Sequence, residues 1–275
     1  MNRLTKEKQK QIIVALIEGN SIRATCRMTD TAKGTVLKLL ADVGKVCAEY
    51  QDKVFRDLTC KHIQCDEIWS FCYAKQKNIP EDKQGKFGYG DVYTWTALCA
   101  DTKLVPCWFI GSRDYLSAKL FIQNLAKRLA NRVQLTTDGH KAYLQAVEDA
   151  FGKDIDYSQL IKLYGDSGEG EKRYSPAQCN GTIKERIQGN PDAKYISTSY
   201  VERQNLTMRM SMRRFTRLTN AFSKKVENLG HAVALHFMYY NFCRIHQTLR
   251  VTPAMEAKVT DHLWEIEDII NLLNN

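Results

Sequence analysis

One run, His62-Ile63-Gln64-Cys65-Asp66-Glu67-Ile68-Trp69-Ser70-Phe71-Cys72-Tyr73, constrains this chain most. It alternates with the period of a β-strand, and it carries two adjacent carboxylates in its middle. A strand this apolar belongs in a core. A carboxylate inside it is costly unless it is paired or holds a metal. Alternation puts Asp66 on the face of Gln64 and Ile68, and Glu67 on the face of Cys65 and Trp69. Periodicity does not choose between the two acids.

Two further acids stand in informative settings. Asp138 ends a second strand-like run, Val133-Gln134-Leu135-Thr136-Thr137-Asp138, just before Gly139. Glu202 opens a basic amphipathic helix, Tyr200-Val201-Glu202-Arg203-Gln204-Asn205-Leu206-Thr207-Met208-Arg209. Asn205 and Arg209 follow at i+3 and i+7, on the helix face of the carboxylate. Each acid alone has an ordinary reading: a turn residue for Asp138, a helix-dipole partner for Glu202, a salt-bridged edge residue for Asp66. Converging, Asp66, Asp138 and Glu202 would make a hard-oxygen site for Mg²⁺, the chemistry of metal-assisted phosphoryl transfer.

Charge points the same way. The chain has 40 Lys and Arg against 31 Asp and Glu, a formal net charge of +9, which favours a polyanionic partner. Between Arg203 and Lys225 there is no acid, and the basic residues Arg203, Arg209, Arg213, Arg214, Arg217, Lys224 and Lys225 follow the Glu202 motif. Such a run beside a candidate site reads as an electrostatic track for a DNA backbone. The nine cysteines include no Cys-x-x-Cys pair, so a structural zinc site is not expected, and their scatter suits a reducing cytoplasm. No stretch has the look of a signal core or a membrane span.

The order of elements then sets the architecture. Residues 5 to 46 carry a helical pattern, with Ile12, Ile13, Leu16 and Ile17 at helix spacing. Gly19-Asn20 stops that helix and Ser21 caps a short second one; Thr29-Asp30-Thr31 forms a turn before a third. The third helix turns Val36, Leu39, Leu40 and Val43 inward and Lys33, Thr35 and Lys38 outward, the outline of a helix-turn-helix DNA reader. Residues 1–47 are thus expected as a DNA-binding domain and 48–61 as a linker helix. Strands follow at 62–74, 91–100 and 104–110, then a helix at 117–131, a strand at 134–137, a helix at 141–151 and a strand at 157–163. This is the order of an RNase-H-like core, an α/β fold with a mixed five-stranded sheet and flanking helices. It extends over 62–252 and is interrupted at 164–198 by an acidic Gly-rich loop (165–171) and a hairpin (181–196) around Gly189-Asn190-Pro191-Asp192. Long helices are expected at 200–218 and 225–242, and a C-terminal helix over 253–275.

At Cys65-Asp66-Glu67-Ile68-Trp69-Ser70, Thr137-Asp138-Gly139-His140-Lys141-Ala142-Tyr143 and Val201 to Arg209, the chain resembles a DDE transposase of the insertion-sequence-one family. Tyr240-Asn241-Phe242, Arg244, His246, Leu249 and Thr252-Pro253 are similar to the C-terminal motif of several bacterial insertion-sequence transposases. The resemblance covers about residues 60 to 253. It implies Asp66, Asp138 and Glu202 as the catalytic and metal-binding triad, and so favours Asp66 over Glu67. It also implies Mg²⁺ or Mn²⁺, two ions per site, with double-stranded transposon-end and target DNA as substrate. A homo-oligomer acting in a bacterial or archaeal cytoplasm is implied as well. Glu67, His140, Arg244 and His246 are accessory candidates. The chain departs from the family pattern in lacking an N-terminal cysteine zinc finger and in the long gap from Asp138 to Glu202. Three other readings stand beside this one: an RNase-H-like nuclease or resolvase that cuts without joining, a helix-turn-helix regulator with a relic core, and a tyrosine recombinase using Tyr239 or Tyr240. The last would leave the three carboxylates without a role.

Overall fold

The computed structural model describes residues 4–165, 179–216 and 220–274. Three helices come first: α1 (Lys6–Ile17), α2 (Ile22–Met28) and α3 (Lys33–Val54). Thr5 accepts from Lys8 N and Ser21 from Ala24 N, so two of the three starts carry a side-chain cap. Helix α3 runs unbroken through residue 47, where a domain boundary is expected from sequence. Its apolar face is continuous from Val36 to Cys47, and Gly44 lets the backbone come against His231. A Cβ at Gly44 would meet the His231 backbone at 2.5 Å, so this contact requires glycine.

The sheet contains β1 (His62–Cys72), β2 (Gly90–Cys99), β3 (Cys107–Gly111), β4 (Gln134–Asp138), β5 (Asp156–Tyr164) and β6 (Cys179–Gln188). Its order is β3-β2-β1-β4-β5-β6. Strands β1, β2 and β3 pair antiparallel, β4 and β5 run parallel to β1, and β6 returns antiparallel on β5. The molecule is therefore α/β with a mixed six-stranded sheet, one strand more than the sequence pattern gives. The sixth strand lies where a self-contained hairpin over 181–196 is expected. Instead Cys179–Gln188 pairs with β5, and 193–195 forms a single 3₁₀ turn. Strand β6 is exposed along nearly its whole length and shows no buried face, so local pattern does not reveal that it pairs with β5. The acidic loop at 166–171 lies outside the described residues.

Helices cover both faces. Helices α4 (Tyr115–Ala126) and α5 (Ala142–Phe151) bring Phe121, Ile122, Tyr143 and Val147 onto Cys65, Trp95, Ala97 and Leu135. Helices α6 (Ser199–Ser211) and α7 (Val226–Met238) bring Val201, Met208, Val233 and Phe237 onto Ile68, Val92 and Leu98. The first core is continuous with Ile12, Val36, Leu40 and Val43 of the N-terminal helices. Several helices are shorter than the pattern suggests. Helix α4 stops at Ala126, and α6 stops at Ser211 before a 3₁₀ turn at Arg213–Phe215. The C-terminal segment forms two short helices, α8 (Pro253–Glu256) and α9 (Ile266–Asn271), in place of one. No helix among the described residues is long and apolar enough to cross a membrane.

The Tyr239–Cys243 segment, one turn of π-helix, holds the two layers together. Asn241 is fully buried and exchanges two hydrogen bonds with the Val105 backbone, donating to its carbonyl and accepting from its N–H, each at 3.0 Å. Phe242 stacks on Phe55 at 5.7 Å between ring centres. These residues of the C-terminal motif thus serve the core.

Candidate functional site

The parallel pairing of β1 and β4 runs from His62↔Gln134 to Cys65↔Thr137. The next residue on each strand is an acid, so Asp66 and Asp138 emerge side by side where the pairing ends. Glu67 joins them. One carboxylate oxygen each from Asp66, Glu67 and Asp138 lies within 4.8 Å of the others. The strand alternation is kept: Asp66 leans to the α6 side and Glu67 to the α5 side, with Asp138 reaching both at the strand end.

Each acid is held by named partners. Asp66 Oδ2 accepts from Asn205 Nδ2 at 2.8 Å, and its Oδ1 accepts from the Glu67 N–H at 2.9 Å. Glu67 Oε1 accepts from Arg113 Nε at 2.6 Å, and its Oε2 accepts from the buried Tyr143 hydroxyl at 3.2 Å. Arg113 also approaches Asp138 Oδ2 at 3.7 Å. Asp138 Oδ1 accepts from the His140 N–H at 3.0 Å, which closes the turn after β4.

Glu202 lies one helical turn before Asn205 on α6. Its Oε2 pairs with Lys162 Nζ of β5 at 2.5 Å, and its Oε1 accepts from the Thr198 hydroxyl. It is not one of the three mutually close acids, although its charge reaches Asp66. The helix that carries it is fixed by Gln64, whose side-chain oxygen accepts from the N–H groups of both Tyr200 and Val201, at 2.9 and 3.1 Å. The first N–H groups of a helix lack internal partners, so a buried glutamine from β1 is an effective cap.

The electrostatics follow from crowding. Burial, then the charges of Glu67 and Asp138, push the Asp66 carboxyl up to about 7. Burial and Asp138 raise Glu67 as well, against the hydrogen bonds from Arg113 and Tyr143. For Lys162, burial acts downward most strongly, but the hydrogen bond and charge of Glu202, with smaller help from Tyr164 and Asp66, together outweigh it and hold the ammonium above its usual range. A buried set of like charges with one guanidinium beside it has an electrostatic deficit that a divalent cation would relieve. Three carboxylates are the oxygen donors that Mg²⁺ or Mn²⁺ takes, and the residues fit such an ion.

His140 lies against Trp95 and Tyr143, with ring centres 5.9 and 6.1 Å away. Burial and then Arg113 depress its imidazole, and its Nε2 has no hydrogen-bond partner among the described residues. It is therefore a packed residue beside the cluster, anchored through its backbone. Arg244 is exposed, and His246 sits in a turn with its N–H donated to Val251 O. No hydrogen bond or ion pair among the described residues joins either of them to the acids.

The basic candidates divide into groups. Lys33 and Lys38 are exposed on α3, Thr35 is half-buried, and Lys38 pairs with Asp42 at 2.6 Å. Arg203 and Arg213 are exposed, whereas Asn205 is buried against Asp66. Arg209 donates to Phe215 O at 3.5 Å, and Arg214 donates to the buried Ser223 hydroxyl at 2.6 Å. Arg217 lies outside the described residues.

Sequence reasoning missed four residues of the site: Gln64, Arg113, Tyr143 and Lys162. Gln64 shares the Asp66 face in the strand alternation, which was the available signal. The others reach the acids only through the tertiary arrangement. Comparison with known protein families and with characterised proteins finds no match to this chain.

Proposed function

We propose that this protein is a DNA transposase that makes metal-dependent cuts at the ends of a mobile element and joins the freed 3′-hydroxyl to target DNA. The observation that carries this reading is the meeting of Asp66 and Asp138 on adjacent parallel strands, with α6 docked on Asp66 through Asn205. The strand order β3-β2-β1-β4-β5, with three antiparallel strands and then two parallel ones, is the arrangement an RNase-H-like core would have. Helices α1–α3 and the +9 charge suit a helix-turn-helix reader of terminal repeats.

A divalent ion in the cluster would supply Lewis-acid charge at the scissile phosphate. Asp66, Glu67 and Asp138 would hold it, and Asn205 would fix the Asp66 oxygen that it does not share. Arg113 would balance the excess negative charge while the site awaits substrate. Glu202, if released from Lys162, would complete the set from α6. Phosphoryl transfer asks mostly for positioning and charge stabilisation, and rigid strands with a capped helix provide both. Exposed Arg203, next to Glu202, would meet DNA phosphates near this site, and exposed Arg213 would meet them beyond the far end of α6.

A strand-transfer assay with labelled element-end DNA, Mg²⁺ and a plasmid target tests the proposal. Joined product from the wild type and none from Asp138→Asn is the expected result. Cutting without joining would make the protein a nuclease or resolvase, and binding without either would make it a regulator.

A further inference from the structure

Two protein cations flank the acids, one on the α5 side and one on the α6 side. Arg113 is bonded to Glu67, inside the group of three mutually close carboxylates. Lys162 is bonded to Glu202, which stays outside that group. The acid held apart from the other three is thus the one that carries an ammonium.

Strand register brings Lys162 to this place. Asp138 of β4 lies opposite Leu160 of β5, and Lys162 is two residues further along β5. Side chains two apart share a sheet face, so Lys162 stands on the face of Asp138 and Asp66. Its Nζ meets Glu202 Oε2 at 2.5 Å, and the charge of Asp66 acts on the same ammonium. Glu202 comes from the facing helix, one turn before Asn205, which donates to Asp66 Oδ2 at 2.8 Å. Residues three apart on a helix are neighbours, so Glu202 and Asn205 approach Asp66 together. Two partners then lie near one flexible side chain: the Lys162 ammonium and a cation held at Asp66.

The pair is built to exchange. The Lys162 and Glu202 side chains are 28% and 36% exposed, and ion pairs this open to water are weak. The Glu67 side chain, bonded to Arg113, is 2% exposed and has no such freedom. The other partner of Glu202 is the Thr198 hydroxyl, at the start of its own helix, which does not tie it to the sheet.

We propose that Lys162 is a positioning residue that competes with the divalent cation for Glu202 and so sets how tightly the site holds metal. The inference rests on the reading of Asp66, Glu67 and Asp138 as a cation site. With Lys162 on Glu202, three carboxylates are open to the cation. With Lys162 released, a fourth joins them and the ammonium stays at the solvent-open rim. A complete site that is available about one tenth of the time binds about tenfold more weakly than one that is always available. A pair that serves stability alone has no such effect on metal.

The test is Mn²⁺ titrated into the full-length protein without DNA, with the free ion read by electron paramagnetic resonance. Lys162→Met is expected to bind Mn²⁺ about tenfold more tightly than the wild type, and Lys162→Gln similarly. Lys162→Arg keeps the charge on Glu202 and is expected to bind as the wild type does. Removing a nearby positive charge also favours any cation through space, so each change is repeated in Glu202→Gln. There the gain from Lys162→Met is expected to vanish. Unchanged affinity in both Lys162→Met and Lys162→Gln would overturn the inference, as would an equal gain with and without Glu202, or a Lys162→Arg protein as tight as Lys162→Met. Each of those results leaves the three-carboxylate site standing if the wild type takes up Mn²⁺. No uptake by the wild type or any variant would overturn both.

Discussion

Asn205 donates its side-chain N–H to Asp66 Oδ2 at 2.8 Å, and so ties the second turn of α6 to the middle of β1. The bond crosses the sheet-to-helix interface at the point where the acids gather. It orients one carboxylate oxygen and leaves the other facing Glu67 and Asp138. Removing a partner that orients a metal-ligating group typically costs about ten- to a hundredfold in metal affinity or activity. Asn205→Ala is expected to fall in that range, with the loss showing in the Mg²⁺ concentration needed for half-maximal cleavage. Unchanged Mg²⁺ dependence would show that the bond is structural only.

The acids are expected to differ in what they control. Asp66→Asn and Asp138→Asn should abolish detectable cleavage, a loss of at least about a thousandfold, while leaving duplex binding intact. Glu202→Gln breaks the ion pair with Lys162 and should give the same loss if α6 completes the site. A gel-shift alongside the cleavage gel separates chemistry from binding. Near wild-type cleavage by Glu202→Gln would assign the third ligand to Glu67.

Acidity gives a third expectation. A carboxyl whose folded-state pKa lies above its unfolded value holds its proton more tightly when folded. Without a divalent ion, Asp66 therefore destabilises the fold progressively as pH rises from about 4, its unfolded value, and fully above the folded value of about 7. Asp66→Asn removes this penalty. Its melting temperature should match that of the wild type near pH 4 and exceed it at pH 8, by about 1 to 3 kcal/mol of stability, a figure trimmed for the partial exposure of Asp66. Thermal melts in chelator at the two pH values check it, and equal differences at both would refute the strained-carboxyl account.

Gln64 has no chemical role in this account, yet α6 depends on it. Gln64→Leu keeps the burial but leaves the Tyr200 and Val201 N–H groups without their acceptor. The expected cost is about 1 to 3 kcal/mol, read from urea denaturation, with cleavage falling further than stability because Glu202 and Asn205 ride on the same helix. Full activity in a destabilised Gln64→Leu protein would show that α6 does not need this cap to place them.

Much of this was legible in the sequence for physical reasons. Period-two alternation located β1, β2, β4 and β5, and helical spacing located α1, α5 and α7 to within a few residues, whereas α3 runs on through the boundary expected at residue 47 and α4 ends at Ala126, short of the expected 131. Asp66 and Asp138 stood out because acids in apolar strands need a reason. What escaped was tertiary. The register that pairs β6 with β5 is set by strand-edge pairing and not by local turns. The choice between Asp66 and Glu67 could not be made from alternation, and the fold brings both to Asp138 because the strand pairing ends there. Arg113 and Lys162 have no sequence neighbour in the site, so no local pattern announces them, and Tyr143, although it closes the motif that follows Asp138, shows its bond to Glu67 only in the folded chain.

The central claim is that Asp66, Glu67 and Asp138 form a divalent-cation site. Electron paramagnetic resonance of Mn²⁺ titrated into the full-length protein tests it most directly, with wild type beside the Asp66→Asn, Asp138→Asn double variant. The account predicts that the wild type removes Mn²⁺ from the free-ion signal, more strongly at pH 8 than at pH 6, and that the double variant does not. Equal Mn²⁺ uptake by both proteins would contradict it.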